Sequence, residues 1–401
     1  MPTSLPTSGI SIYAELLSNI RQVSVIASLP TASGPGTSAE IVENGTVVRI
    51  SHGGHTESMA LPAPVSLVTP LPIPNATAGH LSWRIPASDQ VPSASSLSAA
   101  SSLENQLLPW NAMDLQPASP IRCRKCGHDI VQKGTLTSWK DLPSENWAEM
   151  MEFWHCHKPL DHGAAKDDQH LTQRGYGASS TISAQPQVGF VDLTSFMLSE
   201  SDCSHLSFSS STLETGYDMS RLALDETQPP KFLHAYCRPC GSQVGLYNVL
   251  ASSVSLFKWQ VLCETRSPCT APTSNQCLVA ALASSISRSA SSKSVIFPHE
   301  FSPSGDGTEL QVALHLWVLN SNVTYVSSLA EGKKSAMKIL FRSITVDEGN
   351  KLVDSITSDV QDISFPSSAI KTATNTLELS NTLLPARERS FKSWKVGLLE
   401  R

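Results

Sequence analysis

The sequence predicts an α+β protein that is mostly β. It reads as an N-terminal β domain, a four-cysteine zinc-knuckle module and a C-terminal α+β domain. Three observations carry this reading. Short runs rich in β-branched residues, punctuated by Pro and Gly, fill residues 10–86. Two matching Cys-x-x-Cys-Gly runs lie far apart in the middle of the chain. A clean apolar alternation begins at Leu310. The expected boundaries are 1–86 for the N-terminal β domain and 87–105 for a Ser/Ala-rich linker. The zinc-knuckle module with Ser-rich insertions takes 106–250, and the C-terminal domain takes 251–401.

In the first domain, residues 10–17 and 20–26 read as strands. Glu40–Ile50 reads as a hairpin, because Asn44-Gly45 supplies the two positive-φ residues of a type I′ turn. Leu81–Ile85 is a further strand, and the set suggests a small sandwich or barrel. The Ser/Ala-rich, nearly uncharged stretch 87–105 reads as a linker or long exposed loop, and the stretches at about 163–187, 199–215 and Ser284–Ser294 read as further surface insertions. In the last third, Leu310–Val318 and Lys338–Arg342 read as strands, with Asn320-Ser321-Asn322 as a turn before a returning strand from Val323. Asn350–Ile363 reads as a helix, with Leu352, Ile356, Val360 and Ile363 at helical spacing.

Composition narrows the function classes. The 401 residues carry 29 Lys+Arg against 35 Asp+Glu, a net charge of −6, so a basic nucleic-acid footprint is excluded as a global feature. No run approaches the roughly 18 apolar residues of a membrane helix. No secretory signal is expected from the N-terminal residues, and no membrane partner is expected. Nine cysteines are too sparse, and odd in number, for a secreted disulfide scaffold. The expected location is therefore a reducing compartment, cytoplasm or nucleus.

Cys123-x-x-Cys126-Gly127 and Cys237-x-x-Cys240-Gly241 are the strongest chemical signal. This spacing lets both thiolates of a knuckle face one metal while the glycine permits the tight turn. Two knuckles supply the four sulfurs of a closed, structural zinc site. The alternatives are two unrelated thiol pairs or a redox-active pair; no thioredoxin-like βαβ pattern surrounds either run.

The second signal is Leu142–His157. Ser144 suits a helix N-cap and Glu145 the first turn. Trp147, Met150, Met151 and Trp154 form one apolar stripe, and Cys156 falls roughly opposite it. His155 and His157 flank Cys156, making it the best candidate for a functional thiol. A second metal site or an exposed thiol are the alternatives. Cys203-Ser-His205 sits in an expected insertion, and Cys263, Cys269 and Cys277 lack ligand-like spacing. The tail carries Arg387, Arg389, Lys392, Lys395 and Arg401 among Phe391 and Trp394. It reads as a terminal element docking its aromatic side, or as a strip for an acidic partner or nucleic acid.

The order Cys-x-x-Cys-Gly, then LPSENW followed by Trp154-His155-Cys156-His157, then Cys-x-x-Cys-Gly, then a β-rich half ending in Trp394-Lys395-Val396 resembles the HECT-like ubiquitin ligases. These are the ubiquitin-conjugating-enzyme-binding proteins. The resemblance implies binding of a ubiquitin-conjugating enzyme and transfer of ubiquitin to protein substrates or to the ligase itself. It also implies a link to the endonuclease of mRNA 3′-end processing, for which the chain would alternatively be a non-catalytic stabilising partner. It places partner contact at Pro143, Ser144, Glu145, Asn146, Trp154, His155, Cys156 and His157. A HECT ligase takes ubiquitin on a cysteine close to its C-terminus, whereas the last cysteine here is Cys277. If a thiol carries ubiquitin, Cys156 is the expected one.

Overall fold

The computed structural model describes residues 9–66, 70–73, 79–88, 110–142, 183–209, 232–266, 271–288, 291–299, 312–355 and 359–400. The chain divides into two compact units. One comprises Met1–Leu107, Val279–His299 and Thr308–Arg401; the other comprises Leu108–Leu278 and Glu300–Gly307. The N-terminal and C-terminal stretches, expected as successive domains, thus contribute to one unit.

That first unit is organised by a nine-stranded sheet. From the N-terminal stretch it takes β1 (Ser11–Leu17), β2 (Gln22–Ser28) and β6 (His80–Pro86). From the C-terminal stretch it takes β17 (Lys293–Pro298), β18 (Val312–Ser327), β19 (Lys334–Thr345), β20 (Val360–Phe365), β21 (Ser390–Phe391) and β22 (Trp394–Glu400). Strand β18 joins the two stretches. One edge pairs with β19 along its length. The other pairs with β17 through Leu314–Trp317 and with β1 through Thr324–Ser327.

The expected small sandwich is present. A three-stranded sheet of β3 (Ser38–Val42), β4 (Val47–His52) and β5 (His55–Ala60) supplies Ala39, Ile41, Val48, Ile50 and Met59 to one apolar cluster. Strands β1, β2 and β6 supply Ile12, Ala14, Val23, Val25, Leu81, Trp83 and Ile85 to the same cluster. Period-2 alternation puts these residues on one sheet face, while Tyr13 points to the other, beside Tyr325. Burying each Val, Leu or Ile is worth about 1.5–3 kcal/mol.

Four local expectations need correction. The Asn44-Gly45 hairpin forms, but Val42 pairs with Val47, so its loop holds four residues rather than two. Glu43, Asn44 and Gly45 all take positive φ, and a Cβ on Gly45 would strike the Val65 carbonyl. The triplet 320–322 is a doubly bulged stretch inside β18 and not a turn. β19 continues alongside it, and Asn320 Oδ1 caps the irregularity by accepting from the Asn322 N–H at 3.0 Å. The helix expected over 350–363 is α2 (Val346–Val353) followed by β20, which runs parallel to β17. Thr345 and Glu348 close a reciprocal capping box that starts α2 early. The Ser284–Ser294 stretch is not a surface insertion. It contains the end of α1 (Ser274–Arg288) and the start of β17, with Leu282, Ser284 and Ile286 buried. A third helix, α3 (Ser367–Asn381), buries Ile370, Ala373 and Leu377.

The second unit holds two sheets. The larger has seven strands in the order β12-β13-β14-β15-β11-β10-β9. They are β9 (Ser138–Asp141), β10 (Val188–Val191), β11 (Ser195–Ser199), β12 (Leu206–Ser209), β13 (Phe232–Cys237), β14 (Gln243–Asn248) and β15 (Ser253–Phe257). The smaller orders β16 (Val261–Cys263), β7 (Ile121–Cys123) and β8 (Asp129–Val131) as β16-β7-β8. The expected insertion at 199–215 is in its described part regular structure: Ser199 ends β11, Leu206–Ser209 forms β12, and Asp202, Leu206 and Ser209 are buried.

Candidate functional site

Both cysteine knuckles form at the ends of strands, and they are wired alike. Cys123 closes β7 and Cys237 closes β13. The Cys123 carbonyl accepts the Gly127 N–H at 2.8 Å, and the Cys237 carbonyl accepts the Gly241 N–H at 2.8 Å. Each first cysteine donates its own N–H across the loop, Cys123 to His128 and Cys237 to Ser242, both at 2.9 Å. Gly127 and Gly241 take φ of +73° and +66°, the left-handed region that a Cβ disfavours.

The loop wiring aims two sulfurs per knuckle at a common point. Cys123 Sγ lies 3.7 Å from Cys240 Sγ, and Cys126 Sγ lies 3.6 Å from Cys237 Sγ. All four sulfurs fall within 4.8 Å of one another. A tetrahedron of thiolates about 2.3 Å from a zinc has edges of about 3.8 Å. The donor set therefore fits a tetrahedral metal ion, and the four cysteines could hold one.

Contacts between the strands hold the knuckles together. Ser204 donates its N–H to the Ile130 carbonyl at 2.7 Å, and the His128 and His205 rings meet edge-on at 4.5 Å. Lys125 Nζ reaches the Cys240 carbonyl at 3.5 Å. Burial pushes the Cys123 and Cys237 thiols above their ordinary range, while the His128 N–H pulls Cys126 below it. A bound cation would overrule this split and hold all four as thiolates.

Sequence reasoning missed Arg124, which lies inside the first knuckle. It sends Nη1 to the Pro272 carbonyl at 2.8 Å and Nη2 towards Cys277 Sγ at 3.8 Å, at the start of α1. It also missed Lys258, almost fully buried, with Nζ on the Trp110 carbonyl at 3.1 Å and over the Phe196 ring. Burial lowers its pKa to about 8. Neither had a sequence signal, because each partner lies far along the chain.

The expected partner segment, Pro143, Ser144, Glu145, Asn146, Trp154, His155, Cys156 and His157, lies outside the described residues, as does the helix expected there. It follows directly on Leu142, after the edge strand β9. The remaining described cysteines are poor nucleophiles. Burial pushes Cys203 up to about 12 and raises Cys263 and Cys277. In the tail, Lys395 pairs with Glu378, and Arg389 donates to the Leu384 and Thr382 carbonyls. Trp394 docks half-buried, as a terminal element does.

Fold and site define a mostly β protein with a two-knuckle, four-cysteine centre. A family model described as HECT-like ubiquitin-conjugating enzyme (E2)-binding matches residues 15–396, and the chain belongs to that family. It is 43% identical over 54 residues to Uncharacterized protein C1734.10c of Schizosaccharomyces pombe, and 40% identical over 52 residues to Uncharacterized protein YJR141W of Saccharomyces cerevisiae. Each matched stretch covers 12% of this chain and 15% of the relative. No solved structure matches.

Proposed function

We propose that the chain binds a ubiquitin-conjugating enzyme and promotes ubiquitin transfer to protein substrates or to itself, with one structural zinc held by Cys123, Cys126, Cys237 and Cys240. The family match over residues 15–396 carries this reading. A zinc closed by four thiolates has no open position and serves the fold rather than the chemistry. In a covalent route, the Cys156 thiolate attacks the thioester carbonyl joining ubiquitin to the conjugating enzyme. The new sulfur–carbonyl bond forms as the old one breaks, and the conjugating enzyme's cysteine leaves as thiolate. His155 and His157 support this assignment, as does the unsuitability of the other described thiols. The cytoplasm and nucleus are the compartments that suit free thiols.

A second reading has the chain as a non-catalytic binding partner, with the endonuclease of mRNA 3′-end processing as the client. It is favoured by the lack of an activated thiol among the described cysteines outside the four-sulfur centre. One experiment separates the two: a non-reducing gel of full chain with activating enzyme, conjugating enzyme and ubiquitin. The ligase reading expects a thiol-sensitive adduct that Cys156→Ala removes. No adduct, with a conjugating enzyme still retained, supports the binding reading. Retention of no conjugating enzyme refutes the family-based proposal itself.

A further inference from the structure

The first unit carries a second candidate site, on the face of the nine-stranded sheet that holds Tyr13 and Tyr325. Strand register builds it. His315 on β18 pairs with Arg342 on β19, and Phe341–Lys395 pairing places Trp394 of β22 next in that row. In the adjacent row Lys293 of β17 pairs with Trp317, which pairs with Leu340. Residues two apart share a face, so the two rows lie side by side.

The side chains converge. The Arg342 guanidinium stacks 4.6 Å over the Trp394 ring and directs Nη2 and Nε at His315 Nδ1, at 3.3 and 3.4 Å. His315 meets Trp394 edge-on at 4.6 Å, Trp317 meets Trp394 at 6.2 Å, and Lys293 Nζ sits 5.5 Å over Trp317. On one side lies the apolar cluster of Val295, Ala313, Ile344 and Val360; on the other lies that of Tyr13, Leu340 and Val396. Between them Trp317, Trp394, Arg342 and Lys293 stay partly exposed.

Two features remain unexplained by folding alone. Among the described residues no carboxylate closes an ion pair with Arg342: Glu348, which feels its charge, is engaged in the α2 capping box, Asp359 pairs with Lys293, and Glu15 pairs with Lys338. His315 is 4% exposed, and its buried Nε2 has no hydrogen-bond partner among the described residues. Because Nδ1 faces Arg342 donors, the neutral ring carries its proton on Nε2, leaving a buried donor with no acceptor. Burial, and after it the adjacent cations Arg342 and Lys293, lower the His315 pKa to about 4, so the ring stays neutral near pH 7.

We propose that this sheet face binds an acidic peptide segment of a partner protein, with Arg342 and His315 receiving one carboxylate and Trp317 and Trp394 flanking its neighbours. A guanidinium that closes no ion pair among the described residues keeps Nη1 for one planar carboxylate. Phosphopeptide sites use clusters of arginines, and nucleic acid needs several phosphate contacts that a chain of net charge −6 does not offer here. Half-exposed indoles beside an arginine are the composition of binding hot spots. The site goes beyond the ubiquitin reading and does not depend on it.

The test uses the full chain on an array of acetylated, amidated heptapeptides with Glu or Asp at the centre and varied flanks. Matched arrays carry Gln, Asn or phosphoserine at the centre, and a single-stranded oligonucleotide is run alongside. The proposal expects retention on Glu or Asp members with apolar flanks. It expects at least tenfold loss for Arg342→Gln and for Arg342→Lys, the latter because lysine keeps charge but not the fork. Lys395→Gln, which removes the partner of Glu378, should bind unchanged. An unchanged melting temperature certifies each variant as folded; should Arg342→Gln not fold, Arg342→Lys decides alone. No retention, equal retention of the Gln array, preference for phosphoserine or oligonucleotide, or undiminished binding by both arginine variants overturns it.

Discussion

The four-cysteine centre and the nine-stranded sheet are held together by different physics. At the knuckles, strand ends and glycine turns bring four sulfurs within 4.8 Å of one another. A metal bound there would deprotonate the four thiols, and its binding free energy would add to folding free energy. In the sheet, β18 is clamped between β19 on one edge and β17 and β1 on the other, over clusters of fully buried side chains. Stability there comes from buried area and strand pairing, and no ligand is required. On the proposed zinc reading, one region is conditional on chemistry outside the chain and the other is not.

Removing a metal ligand should divide the two regions most sharply. Structural zinc in small peptides is worth about 10–16 kcal/mol. Cys237→Ser should therefore abolish hydrogen-exchange protection in β7, β13 and β14 while β18 and β19 stay protected. Equal loss in both regions would show that the sheet also depends on the metal. The complementary change is Leu81→Ala, at 1% exposure in the sandwich cluster. It should cost about 2–5 kcal/mol by denaturant unfolding and leave the metal content unaltered.

A pH change should act on the sheet through His315. Its folded pKa, about 4, lies below the ordinary 6.5, so the unfolded chain binds the extra proton between those values. Stability should be unaffected by this group well above pH 6.5 and fall as pH drops towards 4, by about 3 kcal/mol. Arg342 and Lys293 are the charges that oppose protonation. In His315→Phe this part of the slope should vanish from melting curves taken across pH 4–7. The smallest effect is expected at Gly127. No atom lies within 4 Å of where its Cβ would sit, so Gly127→Ala costs only the strain of φ +73°, about 1–2 kcal/mol. Faster metal transfer to a chelator, with the sheet unperturbed, is the readout.

Much of the four-cysteine cluster was legible because its signal is local. Cys-x-x-Cys-Gly encodes a turn, a pair of donors and a required glycine within five residues, and pairing the two runs needed only their likeness. The strands of β1, β2, β6 and β19 were legible from β-branched runs for the same reason. Expectations failed where the deciding interaction was distant. Val360 and Ile363 have helical spacing, but pairing with Lys293 and Ile296 makes their segment a strand. Asn320-Ser321-Asn322 has turn chemistry, yet β19 runs past it and turns it into bulges. Ser284–Ser294 has an insertion's composition, but Ser284 and Ile286 are buried in α1, and Lys293 and Ser294 pair with β18 and β20. Arg124, Lys258 and the His315–Arg342–Trp394 row were invisible because register and long-range contacts create them.

The most direct measurement is the metal content of the purified full chain by elemental mass spectrometry, taken beside that of Cys237→Ser. The account predicts one zinc per wild-type chain and none in the variant, with chelation of the wild type releasing four titratable thiols in step with the metal. Wild-type protein that is folded and free of zinc, with its four sulfurs already reactive, would contradict it.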